Sequence, residues 1–372
     1  MRKTGEEFRS IWQNPADPTV VQIIDQRRLP HEYVVHDLKT WQDGADAISD
    51  MLVRGAPLIG ATAAWSLYLA ANQRSGKSDC RECVLRAAEA LGLTRPTAIN
   101  LKWALDRCRR VIDAASGDSD LVSLLEVEAR SICDEDVEIS RRIGEHGLKL
   151  IEAISASKPG EPVNILTHCN AGALATINYG TATAPVYFAH AKGIDVHVWV
   201  DETRPRNQGS QLTAWELAEN GVPHTLIVDN AGGHIMQHGL VDICITGTDR
   251  TTRTGDVANK IGTYLKALAA HDNSVPFYVA LPSTTIDWTI SDGIRGIPIE
   301  ERDPDEVSRI YGRIGDRLET VNTVATNTKI RNFAFDVTPA KFVTGLITEQ
   351  GICAASEKGL TELFPNMAAQ KS

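Results

Sequence analysis

The sequence contains no apolar run long enough to cross a bilayer, because Asp, Glu, Arg or Lys interrupts every apolar segment. Its opening residues, MRKTGEEFRSIWQNP, carry basic side chains with no apolar stretch behind them, so a secretory signal is not expected. No G-x-G-x-x-G follows a strand-like run and no G-x-x-x-x-G-K-[ST] occurs, which leaves nucleotide binding of the usual kinds without a signature. Positive charge is not in excess. The net charge is −10, so neither nucleic acid nor an anionic membrane is an expected partner, and an anionic ligand needs a local basic pocket. Internal repeats and low-complexity segments are also missing.

Cysteine is sparse and scattered. An odd number, seven, at wide spacings reads as reduced thiols in a cytoplasmic protein. Cys80 and Cys83 form a C-x-x-C, but no second Cys or His pair follows at zinc spacing, and the segment DCRECVLRAAEAL reads as a helix start with Asp79 near its N-terminus. A redox or zinc role for this pair is therefore not expected.

What is present is globular in balance, and 372 residues exceed what one core usually serves, so two domains are expected. Up to about residue 40, VVQIIDQRRLP and EYVVHDL read as short strands of a small antiparallel sheet. From about 42 to 155 apolar residues recur at helical spacing, with polar or Gly/Pro breaks at Arg74–Ser78, Thr94–Pro96 and Ser116–Ser119. Lys158-Pro159-Gly160-Glu161-Pro162 marks the boundary between a mostly helical domain (1–155) and a second domain (160–372). Beyond it, short apolar runs alternate with helical stretches: VNILTH, DVHVWVDE, HTLIVDN, DICITGTD, PFYVALP and FAFDVTP. This rhythm predicts an α/β fold whose second domain is a Rossmann-like, doubly wound parallel sheet.

In such a sheet the carboxyl ends of the strands share one edge. That edge would gather His168-Cys169-Asn170, Asp201-Glu202-Thr203-Arg204, Asp229-Asn230, Gly247-Thr248-Asp249-Arg250 and Pro282-Ser283-Thr284. A thiol, carboxylates, arginines and amides together suit a small polyhydroxylated or phosphorylated ligand. Cys169 precedes NAGALATINYG, which reads as a helix start whose dipole would favour thiolate; it reads equally as a small buried hydrophobe. His168, pointing the other way on extended backbone, reads as structural. Asp249 reads either as an acid–base group or as an ion-pair partner of Arg250. Asn259-Lys260-Ile261-Gly262 resembles a turn entering a helix, with Lys260 and backbone N–H groups able to hold phosphate. Arg54-Gly55-Ala56-Pro57 also enters a helix, with Pro57 suited to its first position, and Arg95-Pro96-Thr97 repeats the pattern.

Seven motifs together resemble the S-methyl-5-thioribose-1-phosphate isomerases of methionine salvage, over about residues 20–365. They are Val53–Pro57, Thr94–Ala98, Thr167–Gly172, Asp201–Pro205, Gln208-Gly209, Gly255–Thr263 and Pro298–Arg302. The resemblance implies an aldose–ketose isomerase with Cys169 and Asp249 as its catalytic pair. It implies substrate binding by Arg54, Gly55, Ala56, Arg95, Gln208, Asn259 and Lys260, no cofactor, a sugar phosphate as substrate, and assembly as a homodimer. Two motifs depart from the family pattern: Gly247-Thr248-Asp249-Arg250 has Thr in place of Ala, and Leu281-Pro282-Ser283-Thr284-Thr285 stands where Ala-Pro-Thr-Ser-Thr is usual. Rival readings are an isomerase of 5-deoxyribose 1-phosphate or ribose 1,5-bisphosphate, and a non-catalytic regulatory subunit of a translation-initiation exchange factor.

Overall fold

A computed structural model describes residues 8–95, 98–118 and 120–369. Pro96, Thr97 and Ser119 therefore lie outside the described residues. The chain opens with β1 (Ile11–Gln13), β2 (Val21–Ile24) and β3 (Val35–Leu38), an antiparallel sheet in that order. Five helices follow: α1 (Trp41–Ser49), α2 (Ala56–Gln73), α3 (Cys80–Thr94), α4 (Ile99–Ala114) and α5 (Leu121–Ser157). Helix α2 is apolar nearly all round, and from Leu58 to Ala71 every residue is buried. A helix without a polar face can only sit inside a core, and α2 is the helix the others surround. Val21 and Ile23 from the small sheet close the same core.

The rest of the chain runs β4 (Val163–Thr167), α6 (Ala184–Ala191), β5 (Val196–Asp201), α7 (Ala214–Glu219), β6 (His224–Ile227), α8 (Ala231–Gln237) and β7 (Ile243–Thr246). Then come β8 (Arg250–Thr252), β9 (Val257–Lys260), α9 (Thr263–Asp272), β10 (Phe277–Ala280) and β11 (Ile286–Asp287). The last strands are β12 (Arg309–Ile314), β13 (Arg317–Asn322), β14 (Phe335–Thr338), β15 (Gly345–Thr348) and β16 (Gly351–Cys353).

The large sheet has the order β16-β15-β10-β7-β4-β5-β6, parallel throughout except for β16 at its edge. Side chains alternate between its faces. Ile165, Val198, Ile245 and Ile347 pack with α5, α6 and α7, whereas Leu166, Cys244, Val279 and Leu346 pack with α8 and α9. Both faces are thus covered, as parallel strands require. Counting its parallel strands along the chain, the order is 3-2-1-4-5-6, and it reverses between β4 and β7. Ligands of open α/β sheets bind outside the carboxyl ends at such a reversal.

Two strand readings need correction. FAFDVTP is not a parallel strand: β14 pairs antiparallel with β9 in a separate sheet of order β11-β8-β9-β14. The sixth parallel strand is instead GLIT, β15, which was not anticipated.

Candidate active site

The reversal point carries Cys169 just past β4 and Asp249 just past β7. A narrow pocket opens there, with both residues in its wall together with Arg54, Gly55, Ala56, Arg95, Gln208 and Lys260. Ile59, Ile297, Ile299 and Phe335 supply apolar lining, and the Lys260 ammonium lies 4.5 Å from the centre of the Phe335 ring. The pocket adjoins a wider cleft of about 410 Å³, with which it shares Met51, Arg54 and Gln208.

Each element delivers its group for a local reason. Gly55 caps α2 at φ 90°, and a Cβ there would collide with the carbonyl of Ala175, so only glycine lets the helix start approach this closely. Arg54, the cap Gly55 and the first helical residue Ala56 then line the pocket, and Pro57 takes the second helical position, one later than expected. Arg95 leaves the end of α3 and meets Glu300 Oε2 at 3.5 Å. It is 7% exposed, and its Nε has no hydrogen-bond partner among the described residues. The Arg54 guanidinium donates from Nη1 to Asn170 Oδ1 and from Nη2 to the Asn170 carbonyl at 2.6 Å.

Burial governs the charges. It pushes the Cys169 thiol up; Arg54 and Lys260 oppose this, and Asp249 adds to it. Burial also raises the Asp249 carboxyl, against the pull of Lys260, Arg54 and Arg95. It lowers Lys260, which Cys169 and Asp249 pull back up. Cys169 and Asp249 are therefore both biased towards their protonated forms, beside cations placed to receive an anion.

This corrects the reading of Cys169 as a thiol at a helix N-terminus. The segment after it forms only a 3₁₀ turn, Ala173–Ala175, and no helix begins before Ala184. Desolvation, not a dipole, sets the thiol. The Lys260 reading is corrected too. Lys260 ends strand β9, and the N-terminus of α9 is already occupied: Asp336 accepts from the backbone N–H of Gly262 at 2.7 Å and of Tyr264 at 3.1 Å. Asn259 is the one expected binding residue outside the pocket wall. Neighbours on a strand point to opposite sides, and its amide donates to Thr263 Oγ1 at 3.0 Å.

His168 is structural in placement. Its Nδ1 lies 2.9 Å from Asp201 Oδ2 and its Nε2 lies 2.8 Å from the Ile261 carbonyl. His168, Asp201 and Asp229 have the chemistry of metal ligands. However, the Lys266 ammonium lies 3.2 Å from Asp201 Oδ2 and also donates to the Asp229 carbonyl, so a cation already belongs to the cluster.

Sequence reasoning missed the residues that hold Cys169. Its N–H donates to Thr203 Oγ1 at 2.8 Å, and its carbonyl accepts from Thr213 Oγ1 at 2.6 Å. It also missed Glu216, a buried carboxylate beneath the same loop. A glutamate in a helical stretch carries no signal that it faces inwards.

Residues 52–355 match the Initiation factor 2 subunit family. The chain is 58% identical to the methylthioribose-1-phosphate isomerase of Acidiphilium cryptum, covering 100% of this chain and 99% of that one. The crystal structure of 5-methylthioribose 1-phosphate isomerase from Pyrococcus horikoshii superposes with a TM-score of 0.83 at 38% identity, over 97% of this chain and 96% of the other. A structure described as translation initiation factor eIF-2B, subunit delta, from A. fulgidus gives 0.79 at 37% identity, over 96% and 99%. The chain belongs to the methylthioribose-1-phosphate isomerases, within the Initiation factor 2 subunit family.

Proposed function

We propose that the protein is the aldose–ketose isomerase of methionine salvage that converts S-methyl-5-thio-α-D-ribose 1-phosphate to S-methyl-5-thio-D-ribulose 1-phosphate, with Cys169 and Asp249 as its catalytic pair. The observation that carries the reading is their convergence, at one sheet reversal, with Arg54, Arg95 and Lys260 in a pocket that has apolar lining. The cations and the first turn of α2 receive the phosphate dianion. Gln208, whose Oε1 is buried without a partner among the described residues, receives a sugar hydroxyl. Ile59, Ile297, Ile299 and Phe335 receive the methylthio group.

The phosphate on the anomeric oxygen blocks ordinary ring opening, so the ring oxygen must be protonated as its bond to C1 breaks. Asp249, whose carboxyl burial raises against the pull of the neighbouring cations, supplies that proton. The C2 hydrogen then reaches C1 and the C2 hydroxyl gives its proton back to Asp249, so the acid is restored and no atom is gained or lost. Cys169 works at C1–C2. In deuterated water, deuterium at C1 identifies a proton passed through an enediol, with Cys169, as thiolate, taking it from C2 and, as thiol, giving it to C1; a direct hydride shift leaves C1 without deuterium.

The test of the pair is substitution. Cys169→Ser and Asp249→Asn should each lower kcat by about 10² or more while substrate still binds. Near-normal turnover in either variant removes that residue from the mechanism, and turnover by neither variant nor parent would turn the reading to a non-catalytic subunit. The apolar lining equally suits a methyl group at C5, so 5-deoxyribose 1-phosphate is the second reading. A C5 phosphate would meet apolar side chains, which argues against ribose 1,5-bisphosphate. A panel with methylthio, methyl and phosphate at C5 separates the three.

We further read the chain as two domains meeting near Lys158–Pro162, as a homodimer, and as cytoplasmic. The free edge strand β6 supports the second copy, since Leu226 is exposed on it and Val228 just beyond it. The unpaired cysteines support the reducing compartment.

A further inference from the structure

We propose that Glu216, which is not in the pocket wall, is a positioning residue that holds Arg54 against the substrate phosphate by fixing the amide of Asn170. The proposal rests on the reading of Arg54 as a phosphate ligand.

Glu216 is fully buried, and an isolated buried carboxylate is costly. This one meets donors on every side. Oε1 accepts from Asn170 Nδ2 at 3.0 Å and from the Leu174 N–H at 2.9 Å. Oε2 accepts from the Ala173 N–H at 2.9 Å and from the Tyr187 hydroxyl at 3.1 Å. Gly172 lies so near the carboxylate that a Cβ there would collide with it. The group therefore grips the whole loop that follows Cys169.

The consequence for Arg54 follows from donor and acceptor roles. The Asn170 amide nitrogen faces Glu216 and, at 3.2 Å, Thr213 Oγ1. Its oxygen is thereby turned to Arg54, which grips both that oxygen and the Asn170 carbonyl. The flipped amide would set nitrogen against guanidinium, donor against donor, and leave Glu216 facing an oxygen. Thr213 and Glu216 stand three residues apart on successive helical turns, so one helix face holds both the Cys169 carbonyl and the Asn170 amide. Without Glu216 the amide is free to turn and the guanidinium loses its seat.

The experiment is a double-mutant cycle with S-methyl-5-thioribose 1-phosphate as the varied substrate. Glu216→Ala should raise KM roughly tenfold with a smaller change in kcat, and should add less than about twofold once Arg54 is already Ala. Asn170→Ala should match Glu216→Ala. Tyr187→Phe, which removes a single donor, should leave KM within about twofold. Effects of Glu216→Ala and Arg54→Ala that multiply, or a lowered melting temperature with KM unchanged, overturn the proposal. If Glu216→Ala does not fold, Glu216→Gln takes its place in the cycle. It preserves the side chain's size but opposes an N–H to the Ala173 N–H, and the same coupling to Arg54 is required of it. If Arg54→Ala itself leaves KM unchanged, the phosphate reading of Arg54 fails; if Arg54→Ala raises KM but the effects multiply, only the role of Glu216 fails.

Discussion

Cys169 adopts φ 64°, a left-handed backbone that non-glycine residues rarely occupy. Its N–H donates to Thr203 Oγ1 and its carbonyl accepts from Thr213 Oγ1, which holds it there, and strain of this kind collects at functional sites. The thiol and the Asp249 carboxyl are both raised by burial. The sign for catalysis follows. An acid must carry its proton, and a raised carboxyl keeps it to higher pH than an ordinary one, so kcat at saturating substrate should hold level through the acid range and fall as rising pH strips Asp249. In Asp249→Asn that limb should vanish along with most of the rate. A pH profile that rises with pH in the parent, or an unchanged limb in the variant, sinks the role of Asp249. The strand-end positions of both residues were legible in the sequence because polar residues stand out against apolar runs, whereas a catalytic role for them was implied only by the family resemblance. Their protonation was not. It depends on which groups surround them, and the surroundings come from Met51–Ala56, Arg95 and Ile297–Ile299, far away along the chain.

Elements were legible in proportion to their length and bounding signals. The helices α2–α5 and the runs that became β4, β5, β6, β7 and β10 announce themselves by periodicity and by polar ends. The short run FAFDVTP carries no information on its partner or direction, and it pairs antiparallel with β9. DVANKIG was read as a helix entry because Gly262 does precede a helix; the strand before it is set by pairing with β14, which no local pattern encodes. The strand ends also settle the fate of the His168, Asp201 and Asp229 cluster. With the Lys266 ammonium at 3.2 Å from Asp201 Oδ2, positive charge reaches the Asp201 carboxylate from α9, while the Asp229 carboxylate accepts from the Thr203 and Arg204 N–H groups. Dialysis against EDTA should leave kcat and KM unchanged. Loss of activity that a divalent ion restores would show that Lys266 is not the resident cation.

At the scale of the whole molecule, the pocket lies between the helical core around α2 and the part built on the sheets. Arg54 and Arg95 come from the helical part around α2, Lys260 and Asp249 from the part built on the sheets. Helix α5 joins them: Leu125 and Ile132 pack in the helical core, whereas Ile143 and Ile151 pack against the sheet. An anion held by cations from both sides binds the folded chain and has no site in either part alone. Such a ligand at a hundred times its Kd adds about 2.7 kcal/mol, which for a chain of this length raises the melting temperature by roughly a few degrees. Ribose 1-phosphate should therefore raise the melting temperature, and the rise should disappear in Arg54→Ala and Lys260→Ala alike, although these residues belong to different parts. Should one variant keep the full rise, the phosphate is held from one side only, and the site is not the shared pocket that the sheet reversal and the start of α2 build together.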